Sequence, residues 1–338
     1  MRTRTFLIVA LMSIGGFGWN GVLVSAEENS PTLSIQGTDQ KPDGPWMLWY
    51  KQPAAIWDHA LPVGNGRLGA MVFGGVDRER IQLNDDTLWD GYPRERINPK
   101  SLEALPKIRQ LLFEGKNDEA TKLADDTLLG VPPRILSYQS LGDILIETTP
   151  QGTITNYRRS LDLDTGIAST SYKSNYVNYR RDVFASHPQN AIVVRWVADV
   201  TACISCRISL KRLNPQNATA SIQDATCLSE GENRLILRGQ IQRPHHETGE
   251  NVGMKFEAQC LAQVVGGTVS NSNGTLEISG ADEIVLLLVS ATNYRGGNPE
   301  ASCREQIEAI RKMPFSAMQE EHIRSEEHTS ELQSRFGI

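Results

Sequence analysis

The chain has 338 residues, 39% of them hydrophobic, enough to bury the core of two ordinary domains or of one large β domain. Its 34 Lys and Arg stand against 40 Asp and Glu, a net charge of −6. No basic run with interleaved aromatics is present to neutralise phosphates or anionic lipid, so nucleic acid is excluded as a partner.

At the start, Arg2 and Arg4 precede an apolar stretch from Phe6 to Phe17, and Val24-Ser25-Ala26 places small residues where a signal peptidase reads. Gly15, Gly16, Gly18, Gly21 and Asn20 break up the residues from Phe6 to Val24, whereas a membrane span needs about 20 predominantly apolar residues. Residues 1–26 are therefore expected to be a cleaved signal peptide, leaving the mature chain periplasmic or extracellular with no membrane attachment. Residues 27–44, rich in Ser, Thr, Pro, Asp and Gly, read as a linker, with order starting near Trp46.

From there to Thr292 most segments are short β-type runs bounded by turn residues: 69–73, 80–84, 144–148, 168–172, 177–185, 191–197, 207–210, 234–241, 254–258, 276–278 and 284–291. That spacing predicts a large antiparallel sandwich. A helical hairpin interrupts it. Asn98-Pro99 supplies an N-cap and a first-turn proline, and Leu102, Leu105, Ile108, Leu111 and Leu112 recur at helical spacing until Gly115. A second helix is expected over 118–129, with Leu123, Leu128 and Leu129 as its apolar positions. Beyond Pro299, 301–313 and 316–323 again read as helix. The final stretch, Arg324 to Ser334 (RSEEHTSELQS), looks like the translation of a sequencing-library adapter. Residues 324–338 are accordingly expected to be an assembly artefact.

The most informative segment runs from Trp57 to Gly91, WDHALPVGNGRLGAMVFGGVDRERIQLNDDTLWDG. Gly64, Gly66 and Gly69 satisfy G-x-G-x-x-G, but a dinucleotide fingerprint needs a helix after it. Here Pro62 lies upstream and a strand-like Ala70-Met71-Val72-Phe73 downstream, so a tight Asn65-Gly66 turn between two strands is the better reading. Asp85 and Asp86 are sequence neighbours, point to opposite faces of a strand and cannot flank one sugar bond.

The run LPVGNGRLGAMVFGG followed by ERIQLNDDTLWDG is similar to the opening of family 95 glycoside hydrolases, the α-L-fucosidase family. Colinear matches follow at YQSLGD (138–143), YRRSLDLD (157–164), RDVFAS (181–186), and GADE (280–283) leading into Ala291-Thr292. The resemblance covers residues 46–323. It implies a mainly β fold: a large antiparallel β-supersandwich (45–300) with an inserted helical hairpin and the start of a helical linker (301–323). The (α/α)6 catalytic barrel is missing from this sequence. The family's activity is hydrolysis of α-L-fucosidic bonds with inversion, which needs an acid and a water-activating base about 6.5–9.5 Å apart. In the family both belong to the barrel, so no catalytic residue is assigned here and no cofactor is expected. The implied partners are a fucosylated oligosaccharide or polysaccharide and the chain's own barrel. Asn65, Arg67, Asn84, Asp86, Thr87 and Trp89 are the candidates for lining the barrel's mouth, or for holding turns and the domain interface. The alternative is a stand-alone carbohydrate-binding or structural module without turnover.

Three further groups have ordinary explanations. His245 and His246 precede Glu247, but adjacent residues diverge on a strand and no helical His pair is near, so no metal site is assigned. Tyr172, Tyr176 and Tyr179 flank a hairpin at Asn175, where cross-strand packing outranks sugar stacking. Five cysteines include a C-x-x-C at 203–206 that a strand would hold too far apart to bridge. Longer-range disulfides stay open at this point. The sequons at Asn217 and Asn273 matter only in a eukaryotic source.

Overall fold

A computed structural model describes residues 33–150, 152–214 and 217–336; the expected signal peptide lies outside them. The chain begins with β1 (Ile35–Gly37), β2 (Met47–Tyr50), a 3-10 turn (Trp57–His59), β3 (Leu61–Gly64), β4 (Leu68–Val72) and β5 (Arg78–Asp85). The hairpin α1 (Ser101–Phe113) and α2 (Asn117–Thr127) follows, and then β6 (Gly142–Glu147) returns to the sheet. A meander of β7 (Ile154–Asp162), β8 (Ile167–Ser174), β9 (Val177–Ser186) and β10 (Ala191–Ala198) leads to β11 (Ile204–Lys211). After β12 (Leu213–Asn214) and β13 (Asn217–Ser221) come β14 (Ala225–Glu230), β15 (Arg234–Gln240), β16 (Lys255–Val265), β17 (Thr268–Ser272), β18 (Thr275–Ala281) and β19 (Glu283–Thr292). Helices α3 (Pro299–Ile310) and α4 (Phe315–Phe336) close the described chain.

One ten-stranded sheet runs β1-β7-β8-β9-β10-β19-β16-β15-β14, with β2 also on β7, and a seven-stranded sheet runs β17-β18-β11-β6-β5-β4-β3. The main core lies between them. Ile81 and Leu83 of β5, Ile144 and Ile146 of β6, Ile208 and Leu210 of β11, and Ile284, Leu286 and Leu288 of β19 all point into it. In β19 the intervening Val285, Leu287 and Val289 face the other way, against Cys303 and Ile307 of α3 and Met318 of α4. A strand covered on both faces has no polar side to show, which is why 284–289 reads IVLLLV without alternation.

A fully buried ion pair crosses the sandwich. Glu79 of β5 pairs with Arg181 of β9, both side chains fully buried, and the Arg181 guanidinium lies 4.8 Å from the centre of the Trp196 ring. The Gly74 N–H donates to Glu79 (2.9 Å), and the Tyr157 hydroxyl donates to the Gly74 carbonyl (2.6 Å). Removing either charge would strand the other in a site without water, so this pair fixes how the two sheets sit.

The mainly β fold with its helical hairpin is as expected, and several local readings change. Ile35–Gly37, inside the stretch expected to be a linker, pairs in parallel with β7. Helix α1 starts at Ser101, not at Pro99; the Asn98 side chain accepts from the Lys100 N–H (3.1 Å) and donates to the Leu129 carbonyl (3.1 Å), tying the hairpin's ends. Only Ile108 and Leu111 of its expected apolar ladder are buried, while α2 buries Ala120 and Thr127 and leaves Leu128 and Leu129 exposed. Helix α3 starts two residues earlier than expected, capped by the Asn298 side chain, which accepts from the N–H groups of Glu300 and Ala301. Helix α4 runs without a break through 324–336. All five cysteines are free thiols.

Candidate functional site

The Asn65-Gly66 turn is built as the sequence predicts. Asn65 Oδ1 accepts from the N–H groups of Arg67 (3.0 Å) and Leu68 (2.7 Å), and Gly66 has φ of +86°, a conformation that favours glycine. Asn65 Nδ2 donates to the Ser186 carbonyl (2.8 Å), pinning the β3–β4 hairpin to the end of β9 in the facing sheet.

This turn aims Arg67 across the sandwich edge. Its Nε donates to Asn190 Oδ1 (2.7 Å), its Nη1 to Asp85 Oδ2 (2.9 Å) and its Nη2 to the Ser290 carbonyl (2.9 Å), joining the end of β5, the β9–β10 turn and β19. Asp85 is wholly buried at the centre of the network. It accepts from Arg67, from Ser290 Oγ (2.9 Å), and from both the N–H (3.1 Å) and the hydroxyl (2.7 Å) of Thr87. Thr87 Oγ1 in turn lies 2.6 Å from Thr292 Oγ1.

Above this scaffold opens a cleft of about 650 Å³, lined by Asn65, Arg67, Asp86 and Thr87 with His187, Asn190, Thr292, Tyr294 and Arg295. Four of the six sequence candidates therefore converge. Amides, hydroxyls and guanidiniums can hold a polyhydroxylated or carbonyl-bearing partner, but among the described lining residues Asp86 is the one carboxylate. Cleaving a glycosidic bond by the acid–base route requires two such groups.

Asn84 and Trp89 stand elsewhere. Asn84 points to the outer face of the seven-stranded sheet, where its Oδ1 accepts from the Tyr138 hydroxyl, which also donates to the Asp85 carbonyl (2.7 Å). Burial, with Asp85 and Asp86 close by, pushes the Tyr138 phenol well above its usual range, so it stays a donor. Trp89 meets Tyr138 edge-on at 5.2 Å, and its Nε1 donates to the Asp86 carbonyl (3.0 Å).

Sequence reasoning set Asp85 aside with Asp86 as an unusable pair and so missed its organising role. The strand alternation it relied on holds: Asp85 is buried and Asp86 exposed. Asn190 and Tyr294 join from distant turns and Ser290 from β19, with no local signal. Among the other groups, Tyr172 and Tyr179 are paired across β8 and β9 and stacked at 5.1 Å, with Tyr176 exposed at the tip. His246 Nδ1 lies 2.9 Å from the Tyr92 hydroxyl, and among the described residues no group of three His, Cys, Asp or Glu is placed to hold a metal ion.

Two stacked, mostly antiparallel sheets, α3 and α4 on one outer face and a polar cleft at the sandwich edge make this a β-supersandwich module. The chain belongs to the family "Glycosyl hydrolase family 65, N-terminal domain", whose model matches residues 48–297. It is 31% identical over 298 residues to "Alpha-L-fucosidase 2" of Arabidopsis thaliana, covering 82% of this chain and 35% of that one. It is 28% identical over 304 residues to "Probable alpha-fucosidase A" of Aspergillus niger (82% and 36%), and 29% over 314 to the protein so named in Aspergillus oryzae (86% and 41%). The chain thus spans 35% to 41% of the length of these relatives. The expected glycoside hydrolase N-terminal domain is borne out, under a family 65 model and with fucosidase relatives.

Proposed function

We propose that this domain is the N-terminal, non-catalytic part of an exported α-L-fucosidase that hydrolyses fucosylated oligosaccharides or polysaccharides with inversion. In this reading Asp86 and Thr87 face the catalytic barrel across the cleft, and Asn65 and Arg67 brace them. The observation that carries it is the cleft's single carboxylate among the described lining residues, within a chain similar over 82% of its length to an α-L-fucosidase. A domain of this kind has the means to bind and brace and lacks, at this cleft, the pair needed to cleave.

The test is turnover. A protein joining this domain to the remainder of its source gene is expected to release L-fucose from fucosylated oligosaccharides, with the β-anomer appearing first by proton NMR. Asp86→Ala in that protein is expected to lower kcat/KM without changing the melting temperature. No fucose release from any fucosylated substrate, or α-anomer as first product, would sink the proposal.

A further inference from the structure

The outer face of the seven-stranded sheet carries a second concavity that shares no lining residue with the cleft. It has a volume of about 590 Å³, and its floor comes from alternate residues of two neighbouring strands: Gly69 and Met71 on β4, and Arg80, Gln82 and Asn84 on β5. In register, Gly69 lies opposite Asn84 and Met71 opposite Gln82. Because Gly69 has no side chain, the floor dips beside the Asn84 amide. Two aromatic side chains line the same groove, Trp57 (53% exposed) from the 3-10 turn and Tyr138 (37% exposed).

Gln82 is only 8% exposed, and among the described residues its amide makes no hydrogen bond. A primary amide in that position is largely covered by protein, reaches solvent only through the groove, and so offers a donor and an acceptor to whatever occupies it. The Asn84 Nδ2 and the Ser140 hydroxyl share the groove. The charge of Arg80 is already paired with Asp143, its Nε donating at 2.6 Å to a carboxylate that is fully buried, while its Nη2 is buried without a hydrogen-bond partner. The groove therefore has no free carboxylate or unpaired cation to select a charged ligand. Nor can an extended peptide add to its floor, since β4 is paired on both sides, to β3 and to β5. What remains is an exposed aromatic surface beside neutral groups that both donate and accept. That combination suits a pyranose ring, which has an apolar C–H face and a rim of hydroxyls.

We propose that this groove is a binding site for a neutral oligosaccharide, one ring stacking on Trp57 and its hydroxyls bonding Gln82 and Asn84. The inference uses the groove's chemistry alone and goes beyond the fucosidase reading. It would give the domain a hold on the glycan apart from the cleft.

The experiment is calorimetric titration of the 338-residue chain with two probes, 2′-fucosyllactose and lactose. Saturable binding with a Kd of about 1 mM or tighter is expected for at least one of them. Trp57→Ala and Gln82→Leu should each weaken it at least about tenfold, the size expected when a stacked ring or a buried hydrogen bond is lost. Gly69→Leu should abolish it by filling the floor; an added Cβ there meets only ordinary contacts, 3.4 Å from the Val63 carbonyl and 3.6 Å from Asn84 Cβ. Tyr176→Ala, on the exposed tip of the β8–β9 hairpin, should leave it unchanged. Circular dichroism melts show that each variant is folded, and Trp57→Ala, which alters an exposed ring, decides the matter if Gln82→Leu does not fold. No heat of binding up to about 10 mM of either sugar, or wild-type affinity in Trp57→Ala and Gln82→Leu, overturns the site. Either result leaves the fucosidase reading standing, because that is judged on turnover by the longer protein.

Discussion

Replacing Asp85 by Asn exchanges one carboxylate oxygen for an NH2, removing a unit of charge with almost no change in volume, yet it should cost more than most core truncations. Both carboxylate oxygens are committed: Oδ2 accepts from Arg67 and Ser290, and Oδ1 from the N–H and hydroxyl of Thr87. Whichever oxygen becomes an NH2 then confronts two donors, and Arg67, whose side chain is 29% exposed, loses its counter-charge. Breaking a buried ion pair from one side costs about 3–5 kcal/mol. Part of that penalty reflects the stranded arginine, so Arg67→Met combined with Asp85→Asn should recover about 1–3 kcal/mol in a double-mutant cycle. Urea unfolding followed by tryptophan fluorescence measures both quantities. A loss below about 1 kcal/mol for Asp85→Asn, the value of an ordinary exposed pair, would refute the claim that this carboxylate organises the cleft.

Two other perturbations test the packing around it. His322 of α4 is 1% exposed and stacks on Phe184 at 4.6 Å, with Glu326 4.0 Å from its Nδ1, and burial pulls its imidazole below the usual 6.5. Its folded-state value being depressed, the stability it allows is present above the unfolded value and is lost as pH falls through the folded one. The partly buried Glu326 carboxyl, pushed up by desolvation, works in the opposite sense at lower pH. The melting temperature should therefore drop between about pH 7 and 5.5, and less so in His322→Phe; equal drops would show that the imidazole is not the cause. At the other end, a Cβ on Gly75 would sit 1.9 Å from the Arg78 carbonyl oxygen, a backbone atom that cannot swing aside. Gly75→Ala should cost at least about 2 kcal/mol in urea unfolding, and a neutral outcome would mean that the turn before β5 is more pliable than it looks.

The parts legible in the sequence were those fixed by local chemistry. The Asn65-Gly66 turn, the β-type runs of the central strands and the stop at Gly115 each follow from a few neighbouring residues. What escaped was set by contacts from far along the chain. Ile35–Gly37 carries no strand signal of its own and is held by β7, Ile35 pairing with Ile154 119 residues on and Gly37 with Tyr157 120 residues on. Leu102, Leu128 and Leu129 keep helical spacing but lack a partner surface, since α1 and α2 bury little beyond Ile108, Leu111 and Ala120 against each other. Spacing shows that a stripe exists and says nothing of what covers it.

The same limit explains the split among the site candidates. Asn84, Asp85 and Asp86 are consecutive and look alike in a sequence, but strand alternation sends the first to the outer groove and the second into the network beneath the cleft, and the turn that ends β5 carries the third to the cleft itself. A register slip of one residue would place Asn84 where the buried carboxylate must be and turn Gln82 into the core in place of Leu83. The β5 register is held against this by six pairings to β6, from Arg78–Glu147 to Leu83–Gly142, and by Glu79 locked to Arg181 across the sandwich. The buried ion pair and the two concavities are therefore coupled: loosening Glu79 permits the slip that would dismantle both surfaces at once. Stability at one end of β5 is thus a condition for recognition at the other.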